Sequence, residues 1–462
     1  MKGKILIAGV GSGSGKTTIT YAVLTELVRR GNKVVSFKCG PDYIDPMFHR
    51  KAIGSLSYNL DSFFLGETSL RCFFDEKSAN GDYSVAEGVM GYYDGAGYTT
   101  SGSTYEIATI IDAPVILVVN GRGMGNSILA MIKGFCSYVP KSMIKGIILN
   151  QVSQGTYEKL KPLIERENLV VCGFAPRLNE ELTIKSRHLG LYTPESVDNI
   201  KEKLSELSKV ICKTVDVDKI IELSECGEKI SGNNDAPGNK NETVKKVNLA
   251  VARDEAFSFI YQENLELLEK NGCIISYFSP IHDSMLPQNI DGMLIMGGYP
   301  ELYAKDLSGN ISMRDDIKKC IEDGMPVLAE CGGYMYLKDC IEDSSKNMYQ
   351  MVGVLKGSCT KKDRLVRFGY VTLTAKSDNL LLKKGESIKG HEFHYWDCEE
   401  NGDAFVAHPA GERPAYDCIV AKDNLMAGFA HMYYLSNPEA VKNFVAKCSE
   451  YRENCRRKNG ID

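Results

Sequence analysis

The sequence predicts an α/β protein of two domains, each built on a mainly parallel sheet. From residue 3 to about residue 224, short apolar strands alternate with amphipathic helices, which is the order of a doubly wound parallel sheet. Residues 225–246 are rich in Gly, Asn, Lys and Glu and almost devoid of apolar side chains, and a new strand begins at Val247. We therefore expect domains at residues 1–224 and 247–462, joined by a flexible linker.

Length and charge limit the classes of function. The chain has 462 residues, too many for one core, and its net charge of −5 comes without a basic stripe, so nucleic acid is not an expected partner. The N-terminus has the pattern of a short strand rather than a signal peptide, and no apolar run approaches the ~20 residues of a membrane helix. We expect a cytoplasmic protein with no membrane partner.

The cysteines give little sign of a metal site. There are 15 of them, scattered along the chain with no Cys-x-x-Cys pair. In a reducing compartment this pattern predicts that most are small buried apolar residues. A site assembled from distant segments stays open.

A glycine-rich loop follows the first strand. Residues 3–9 form an apolar strand, residues 10–18 form a loop ending in Gly-Lys-Thr-Thr, and an amphipathic helix continues to about Arg30. The backbone N–H groups of such a loop surround phosphate oxygens, while the lysine reaches the outer phosphates and the threonine hydroxyl can bind Mg²⁺. The candidate nucleotide contacts are Gly9, Gly13, Gly15, Lys16, Thr17 and Thr18. Gly9 lies six positions before Gly15 instead of five, so the loop is one residue longer than the strict motif.

Acidic residues follow two further strands. A strand at 33–39 runs into a stiff Gly-Pro-Asp-Tyr-Ile-Asp-Pro turn that carries Asp42 and Asp45, and a strand at 84–90 carries Glu87. Ligands of parallel α/β sheets bind at the carboxyl ends of strands, and carboxylate oxygens suit Mg²⁺. We expect Asp45 and Glu87 to serve a metal ion together with the loop threonine. Ordinary turn chemistry is the alternative for the two aspartates.

Other polar residues at strand ends are weaker candidates. Asp94 lies on the turn beyond the Glu87 strand. Asn150 lies in an apolar strand at 144–152, where a nucleobase-reading amide is expected in such folds. Arg187 and His188 precede an apolar, proline-bounded turn, so they could bind an anionic substrate or cap a helix end.

The stretch at 326–336 predicts a nucleophile. An apolar run ends at Cys331, and two glycines and a short helical pattern follow. A tight strand-to-helix turn holds one side chain at its apex, and the adjacent helix N-terminus favours the thiolate. Gly298 follows the preceding strand, so its N–H and that of Gly332 could both stabilise an oxyanion. A buried structural cysteine is the alternative.

A thiol nucleophile also needs a base. His391 and His394 lie in Gly-His-Glu-Phe-His, and His431 lies in Gly-Phe-Ala-His-Met. Sequence spacing does not tell which imidazole meets Cys331, and a core histidine is the ordinary alternative for each.

The ordered motifs resemble those of the cobyrinate a,c-diamide synthases from about residue 3 to residue 445. The matching segments are Gly9 with 14–18, 37–46, 87–91, 187–191, 297–301, 329–333 and 390–394. Nickel-sirohydrochlorin a,c-diamide synthases share most of these motifs and stay an alternative.

The resemblance implies a dethiobiotin synthetase-like first domain and a class I glutamine amidotransferase-like second domain. The first would use Mg²⁺ and ATP to phosphorylate a side-chain carboxylate of a tetrapyrrole, and the second would release ammonia from glutamine. Lys16 and Thr17 would hold ATP and Mg²⁺, Cys331 would be the nucleophile, and His431 would raise its nucleophilicity. The implied contacts of metal, substrate or intermediate are Asp42, Tyr43, Asp45, Glu87, Asp94, Arg187, His188, His391 and His394.

One position departs from ordinary class I glutaminases, which carry an acid two residues after the histidine. Tyr433 stands there, so the site is either a Cys–His pair or takes its carboxylate from elsewhere. The expected partners are ATP, L-glutamine and a tetrapyrrole polycarboxylate such as cobyrinic acid, with a homodimer as a further expectation.

Two other classes compete with this interpretation. A partitioning-type switch ATPase with an inactive second domain usually has a second lysine early in its loop, and positions 10–14 contain none. A dethiobiotin synthetase-type enzyme would need no glutaminase half.

Overall fold

The computed structural model describes residues 1–183, 186–187, 190–191, 194, 197, 199–226 and 246–458. The chain separates into two compact units, Met1–Asn234 and Asp235–Asp462. Most of the predicted linker, residues 227–245, lies outside the described residues. Within the described part of the chain, no helix is long and apolar enough to cross a membrane.

A seven-stranded parallel sheet forms the first unit, with the order β3-β2-β4-β1-β5-β6-β7. Its strands are β1 (Gly3–Gly9), β2 (Val34–Cys39), β3 (Leu56–Leu60), β4 (Tyr83–Glu87), β5 (Val115–Asn120), β6 (Ile144–Asn150) and β7 (Val170–Ala175). A separate short antiparallel pair follows, formed by β8 (Ser186–Arg187) and β9 (Gly190–Leu191). The central strand β1 is buried along its whole length, as its unbroken apolar pattern predicts.

Helices connect the strands of this sheet. They are α1 (Lys16–Arg29), α2 (Ile44–Met47), α3 (Glu67–Ser78), α4 (Thr104–Ile110), α5 (Ser127–Ser137), α6 (Gln154–Glu165), α7 (Ile200–Ile211) and α8 (Val217–Glu225). Ser103 caps α4 by accepting the N–H of Glu106, the arrangement expected of a serine three residues before a glutamate. The predicted doubly wound parallel architecture is confirmed.

Two strand predictions in this unit need correction. The strand at Leu56–Leu60 was missed, although it forms an edge of the sheet. The strand predicted at 84–90 ends at Glu87, because Gly88 and Val89 lie outside it and the chain bends at Met90, which has a φ of 48°. Glu87 is therefore the last residue of its strand, so that its carboxylate lies at the edge of the sheet where the glycine-rich loop also begins.

The second unit contains a six-stranded sheet of order β12-β10-β13-β15-β25-β24, parallel except for the last pair. An antiparallel sheet of order β23-β22-β19-β20-β26 accompanies it, and so does a mixed sheet of order β17-β16-β18-β21, in which β16 and β18 are parallel. The short strands β11 and β14 pair with each other. The strands are β10 (Val247–Ala252), β11 (Phe257–Phe259), β12 (Cys273–Phe278), β13 (Gly292–Ile295), β14 (Gly297–Gly298), β15 (Val327–Glu330), β16 (Cys340–Glu342), β17 (Met348–Gln350), β18 (Ser358–Lys361), β19 (Arg367–Ala375), β20 (Ser387–His394), β21 (Trp396–Cys398), β22 (Phe405–Pro409), β23 (Tyr416–Cys418), β24 (Val420–Lys422), β25 (Leu425–Gly428) and β26 (His431–Met432).

Helices and two apolar cores cover both faces of the six-stranded sheet. The helices are α9 (Gln262–Lys270), α10 (Ala304–Gly309), α11 (Ile311–Glu322), α12 (Gly332–Tyr336) and α13 (Pro438–Lys458). One core contains Val327, Ala329 and Cys331, and the other contains Leu328 from the same strand. This alternation shows that β15, which leads to Cys331, is buried on both sides.

One cysteine pair departs from the expected pattern of small buried residues. Cys359 and Cys398 face each other on β18 and β21 and form a disulfide with a Cα–Cα distance of 4.6 Å. The two cysteines are 39 residues apart along the chain, and no sequence pattern predicted that they would pair. The pairing became visible only with the register of two antiparallel strands.

Candidate active sites

The glycine-rich loop is held closed by its own side chains. Lys16 Nζ donates to the carbonyl oxygens of Gly11 at 3.1 Å and Met90 at 2.5 Å. A Cβ atom on Gly9 would lie 2.1 Å from Ser14 Oγ, so only glycine lets the strand pass this close to the loop. Burial, with the positive charge of Lys38, lowers the pKa of Lys16 to about 8. The lysine is thus oriented by carbonyl groups that phosphate oxygens could replace.

Asn150 fixes the end of the same loop. Its Nδ2 donates to the Ser14 carbonyl oxygen at 2.8 Å. Gly15 has a φ of 97°, and a Cβ atom there would lie 2.0 Å from this Nδ2. The side chain predicted to contact a nucleobase therefore contacts the loop in this structure, and base contact stays a prediction. Gly13 also has a positive φ, 73°, as the loop shape requires.

A buried cluster of charged residues lies beside the loop. Lys38 Nζ lies 2.6 Å from Asp45 Oδ2 and 2.8 Å from Glu87 Oε1. Thr17 Oγ1 donates to the same Glu87 oxygen at 2.6 Å, and Tyr21 donates to Asp45 Oδ1 at 2.6 Å. The structure thus brings together three residues predicted to bind metal, and it adds two that sequence reasoning missed, Lys38 and Tyr21.

The electrostatics of this cluster follow from burial and close opposite charges. Burial raises the pKa of Glu87 to about 7, and neighbouring Asp45 adds to the rise. For Lys38, burial lowers the pKa, but Asp45 and Glu87 outweigh it and hold the pKa above its ordinary value. One ammonium group therefore balances two carboxyl groups inside the protein.

The donor atoms of the cluster suit a magnesium ion. A hydroxyl and one or two carboxylates, together with phosphate oxygens, are what Mg²⁺ takes at nucleotide sites. Thr17, Asp45 and Glu87 supply that set, so the residues present fit the ion. Among the described residues, no group of three His, Cys, Asp or Glu side chains could hold a metal ion by itself. The ion would share its carboxylates with Lys38.

The remaining predicted residues of the first unit have separate positions. Asp42 Oδ1 accepts the N–H groups of Ile44 and Asp45 at the start of α2. Burial, with Asp45, raises the pKa of Asp42 to about 6. Tyr43 immediately precedes α2, and Asp94 Oδ2 accepts the Gly91 N–H at 2.8 Å.

The last two candidates of this unit fall where the structure describes little. Arg187 lies in β8, where only the backbone is described. His188 lies outside the described residues. Anion binding by the pair stays a prediction.

Cys331 lies on a strained turn between β15 and α12. Its φ of 49° and ψ of −105° are rare for a residue with a side chain, and its N–H donates to the Gly428 carbonyl oxygen at 2.7 Å. A Cβ atom on Gly333 would lie 1.7 Å from the Ile295 carbonyl oxygen, so this glycine is required by a close backbone approach. This is the geometry of a nucleophile elbow.

The two predicted N–H donors lie close together. A Cβ atom on Gly332 would lie 3.1 Å from the Gly298 backbone nitrogen. One on Gly298 would lie 1.9 Å from the Ala256 carbonyl oxygen, because β14 pairs tightly with β11. The backbone around the nucleophile thus has the proximity that an oxyanion hole needs.

His431 lies at the start of β26, with its ring against Gly297. A Cβ atom on Gly297 would lie 2.3 Å from His431 Cε1. His391 is the direct partner of His431 across β20 and β26. His394 Nδ1 bonds to the Trp396 carbonyl oxygen at 2.7 Å, and its ring stacks on Phe429 with centroids 3.9 Å apart.

The buried carboxyl group of Glu330 lies near His431. Glu330 Oε2 lies 4.0 Å from His431 Nδ1, and Tyr434 Oη donates to Glu330 Oε1 at 3.5 Å. Burial raises the pKa of Glu330 to about 8. Sequence reasoning missed this residue, although it immediately precedes the nucleophile. Ordinary class I glutaminases carry an acid at the position of Tyr433. In this chain Glu330 supplies a carboxyl group near His431 instead.

The resting protonation of the site differs from the sequence expectation. Burial, with the charge of Glu301, raises the pKa of Cys331 to about 12. Burial also lowers the pKa of His431 to about 3, and His391 and His394 lower it further. The expected thiolate is therefore not preformed, because burial outweighs the N–H of Gly332 at the start of the five-residue helix α12. Burial therefore favours the neutral thiol of Cys331 and the neutral imidazole of His431.

Comparison with known proteins follows the same division into two units. Residues 5–191 match the family of the CobQ/CobB/MinD/ParA nucleotide binding domain, and residues 248–439 match the family of the CobB/CobQ-like glutamine amidotransferase domain. The cobyrinate a,c-diamide synthase of Caldanaerobacter subterraneus subsp. tengcongensis is 41% identical over 450 residues, covering 96% of this chain and 98% of that protein. The synthases of Clostridium acetobutylicum and Priestia megaterium are 41% and 38% identical, and each match again covers 96% of this chain.

These matches extend over nearly the whole length of both partners, 99% of the Clostridium acetobutylicum protein and 97% of the Priestia megaterium protein. The two family matches span the glycine-rich loop with its carboxylates and the cysteine elbow with its histidines. The chain belongs to the cobyrinate a,c-diamide synthase family.

Proposed function

We propose that this protein uses ATP and glutamine to convert the a- and c-side-chain carboxylates of cobyrinic acid into amides, a step of cobalamin biosynthesis. The observation that carries this proposal is the presence of two complementary sites in one chain. Lys16 with the carboxylates of Asp45 and Glu87 suits phosphoryl transfer, and Cys331 on its strained turn, with the Gly298 and Gly332 backbones close together, suits hydrolysis of an amide. Residues 1–224 would form the activating domain, and residues 247–462 the glutaminase domain.

The activating site makes a carboxylate reactive. A carboxylate oxygen of the acceptor attacks the γ-phosphorus of ATP, ADP leaves, and an acyl phosphate forms. Lys16 holds the outer phosphate oxygens during this transfer. Bound Mg²⁺ would neutralise phosphate charge there, held by Thr17, Asp45 and Glu87. Lys38 keeps the two carboxylates in place.

The glutaminase site releases ammonia. The Cys331 thiol gives its proton to His431 as the sulfur attacks the glutamine amide carbon, and the oxyanion forms between the N–H groups of Gly298 and Gly332. Ammonia leaves with the proton from the imidazole, and water then hydrolyses the thioester to glutamate. The site starts from and returns to a neutral thiol and a neutral imidazole, the forms that burial favours for both groups.

Glu330 serves as the carboxyl group that orients His431. A carboxyl oxygen accepts a hydrogen bond whether or not the group is ionised, so Glu330 can fix the tautomer with a proton on Nδ1 and leave Nε2 to take the thiol proton. The separation of 4.0 Å must shorten for that bond to form, as hydrogen bonds of catalytic groups often do once substrate is bound.

The two half-reactions meet in the acyl transfer. Ammonia attacks the acyl carbon of the acyl phosphate, phosphate leaves, and the amide remains. Ammonia in neutral water is mostly ammonium, which has no lone pair for attack. Its release from glutamine within the protein supplies the reactive form.

Mass spectrometry of the acceptor tests the proposal. With Mg²⁺, ATP and glutamine, we expect cobyrinic acid to exchange two OH groups for NH₂ groups, whereas nickel sirohydrochlorin in a parallel assay stays unchanged. Reaction of the nickel compound alone would move the protein to the sister activity with the same mechanism. Reaction of neither would refute the proposed acceptor.

Two variants separate the sites. Cys331→Ala should lose turnover with glutamine but keep turnover with ammonia, because activation of the carboxylate does not use the thiol. Lys16→Ala should lose both, because no acyl phosphate forms. A folded Cys331→Ala protein that is inactive with ammonia would refute the two-site mechanism.

A further inference from the structure

An open groove lined by aromatic side chains lies beside the glycine-rich loop. Its volume is about 910 Å³, near the upper end for small-molecule sites. The turn after β4 supplies one wall and α5 supplies the other. We call it the aromatic groove, and the side chains that the argument uses are Met90, Tyr93, Asp94, Tyr98, Phe135 and Tyr138.

The groove exposes large apolar groups to solvent. The exposed fractions are 108% for Tyr98, 68% for Tyr138 and 43% for Met90. Among the described residues that line the groove, none is Lys or Arg, and Asp94 is the single acid. Soluble proteins rarely expose several large apolar groups together in one concave surface, so such a surface indicates a binding site.

Ring contacts hold the bottom of the groove in one arrangement. The Tyr93 ring lies 5.6 Å from that of Phe135 and 4.8 Å from that of Tyr138, measured between centroids. The Tyr93 hydroxyl donates to the Phe135 carbonyl oxygen at 2.5 Å, which ties the turn after β4 to α5. The two walls are therefore connected before any ligand arrives, so little conformational freedom is lost when one binds.

The groove is continuous with the phosphoryl-transfer site. Met90 lines it, and the Met90 carbonyl oxygen accepts the Lys16 ammonium at 2.5 Å. Met90 and Tyr98 both have positive φ, 48° and 61°, which side-chain-bearing residues rarely adopt. Strained backbone concentrates at binding and catalytic sites, and here it shapes one wall of the aromatic groove.

We propose that the aromatic groove binds the macrocycle of the tetrapyrrole acceptor and directs its reacting carboxylate toward Lys16. The inference rests on the proposed function and adds where the acceptor binds. A tetrapyrrole presents a broad apolar ring face with carboxylates around its rim. Tyrosine and methionine side chains suit the ring face, and the lack of a lysine or arginine lining leaves the other rim carboxylates in water.

Direct binding of cobyrinic acid tests this placement. The double variant Tyr98→Ser, Tyr138→Ser removes two exposed rings and leaves the half-buried hydrogen bond of Tyr93 to Phe135 intact. Fluorescence titration of the full-length chain should show that the Kd for cobyrinic acid rises about tenfold, while the Kd for ATP stays unchanged. The matched control is Tyr277→Ser, which removes a tyrosine with 47% exposure from the second unit and should change neither Kd.

The outcomes separate this inference from the proposed function. If the unmodified protein fails to bind or amidate cobyrinic acid, the proposed function is refuted. If it binds, and the double variant binds with the same Kd, the acceptor site lies elsewhere and the inference is overturned while the function stands. Sedimentation of the double variant as a smaller species with an unchanged Kd would also overturn it, because the groove would then join two copies of the chain.

Discussion

The substitution Gly297→Ala tests whether the position of the His431 ring determines the rate of glutamine hydrolysis. The new Cβ atom would lie 2.3 Å from His431 Cε1 and 3.2 Å from each ring nitrogen, whereas ordinary contact begins near 3.4 Å. Gly297 does not have a positive φ, so alanine itself fits the backbone. The ring must therefore withdraw by about 1 Å, and a displacement of that size in a catalytic group typically costs about 100-fold in rate.

The assay compares two nitrogen sources in the same protein. We expect Gly297→Ala to lower kcat for glutamate release about 100-fold and to leave ammonia-dependent amidation unchanged, with a loss of stability of about 1–3 kcal/mol from overpacking. Gly309→Ala is the control, since no atom lies within 4 Å of a Cβ there, and it should keep both activities. Full glutaminase activity in folded Gly297→Ala would refute the importance of the ring position.

Two further predictions concern buried charges. Lys38→Met leaves Asp45 and Glu87 without their ammonium partner and should lower the unfolding free energy by about 3–5 kcal/mol in urea denaturation, whereas the exposed Lys33→Met should not; equal stability of the two would contradict the charge balance. Burial raises the pKa of Glu330 from 4.5 to about 8, so its contribution to stability is present below pH 4.5 and is lost as pH rises through 8. The unfolding free energy of Glu330→Gln should therefore rise relative to that of the unmodified protein by up to about 5 kcal/mol between about pH 5 and pH 9. A difference in unfolding free energy that does not change with pH would contradict a buried neutral carboxyl group.

Local steric patterns explain why much of both sites could be predicted. Gly9, Gly15 and Gly333 are each required because a backbone or side-chain atom passes within about 2 Å of the place of a Cβ atom, as the close approach of a strand and a turn dictates. These glycines stand close in sequence to Lys16 or Cys331, so they leave a compact signature, although the atoms that Gly15 and Gly333 avoid belong to distant segments of the chain. The parallel architecture of the first unit and the elbow at Cys331 follow from signatures of this kind.

The partners of the charged residues depended on strand order and were missed. Lys38 lies directly opposite Glu87 because β2 and β4 are neighbours in register, although 49 residues separate them along the chain. Glu330 meets His431 because β15 pairs with β25, whose chain continues into β26. No local pattern encodes which strands become neighbours, so the sequence alone could identify His431 and Glu87 without their partners.

The Lys16 ammonium has three protons to donate, and the carbonyl groups of Gly11 and Met90 accept from it. Phosphate oxygens of a nucleotide compete for the same protons, and Met90 forms the edge of the aromatic groove. A nucleotide that draws the lysine from Met90 removes a contact that fixes this edge. A tetrapyrrole ring bound in the aromatic groove contacts Met90 and so affects the same hydrogen bond between Lys16 and the Met90 carbonyl oxygen. Thermodynamic linkage is reciprocal, so whatever factor ATP contributes through this bond to the affinity for the acceptor, the acceptor returns to the affinity for ATP.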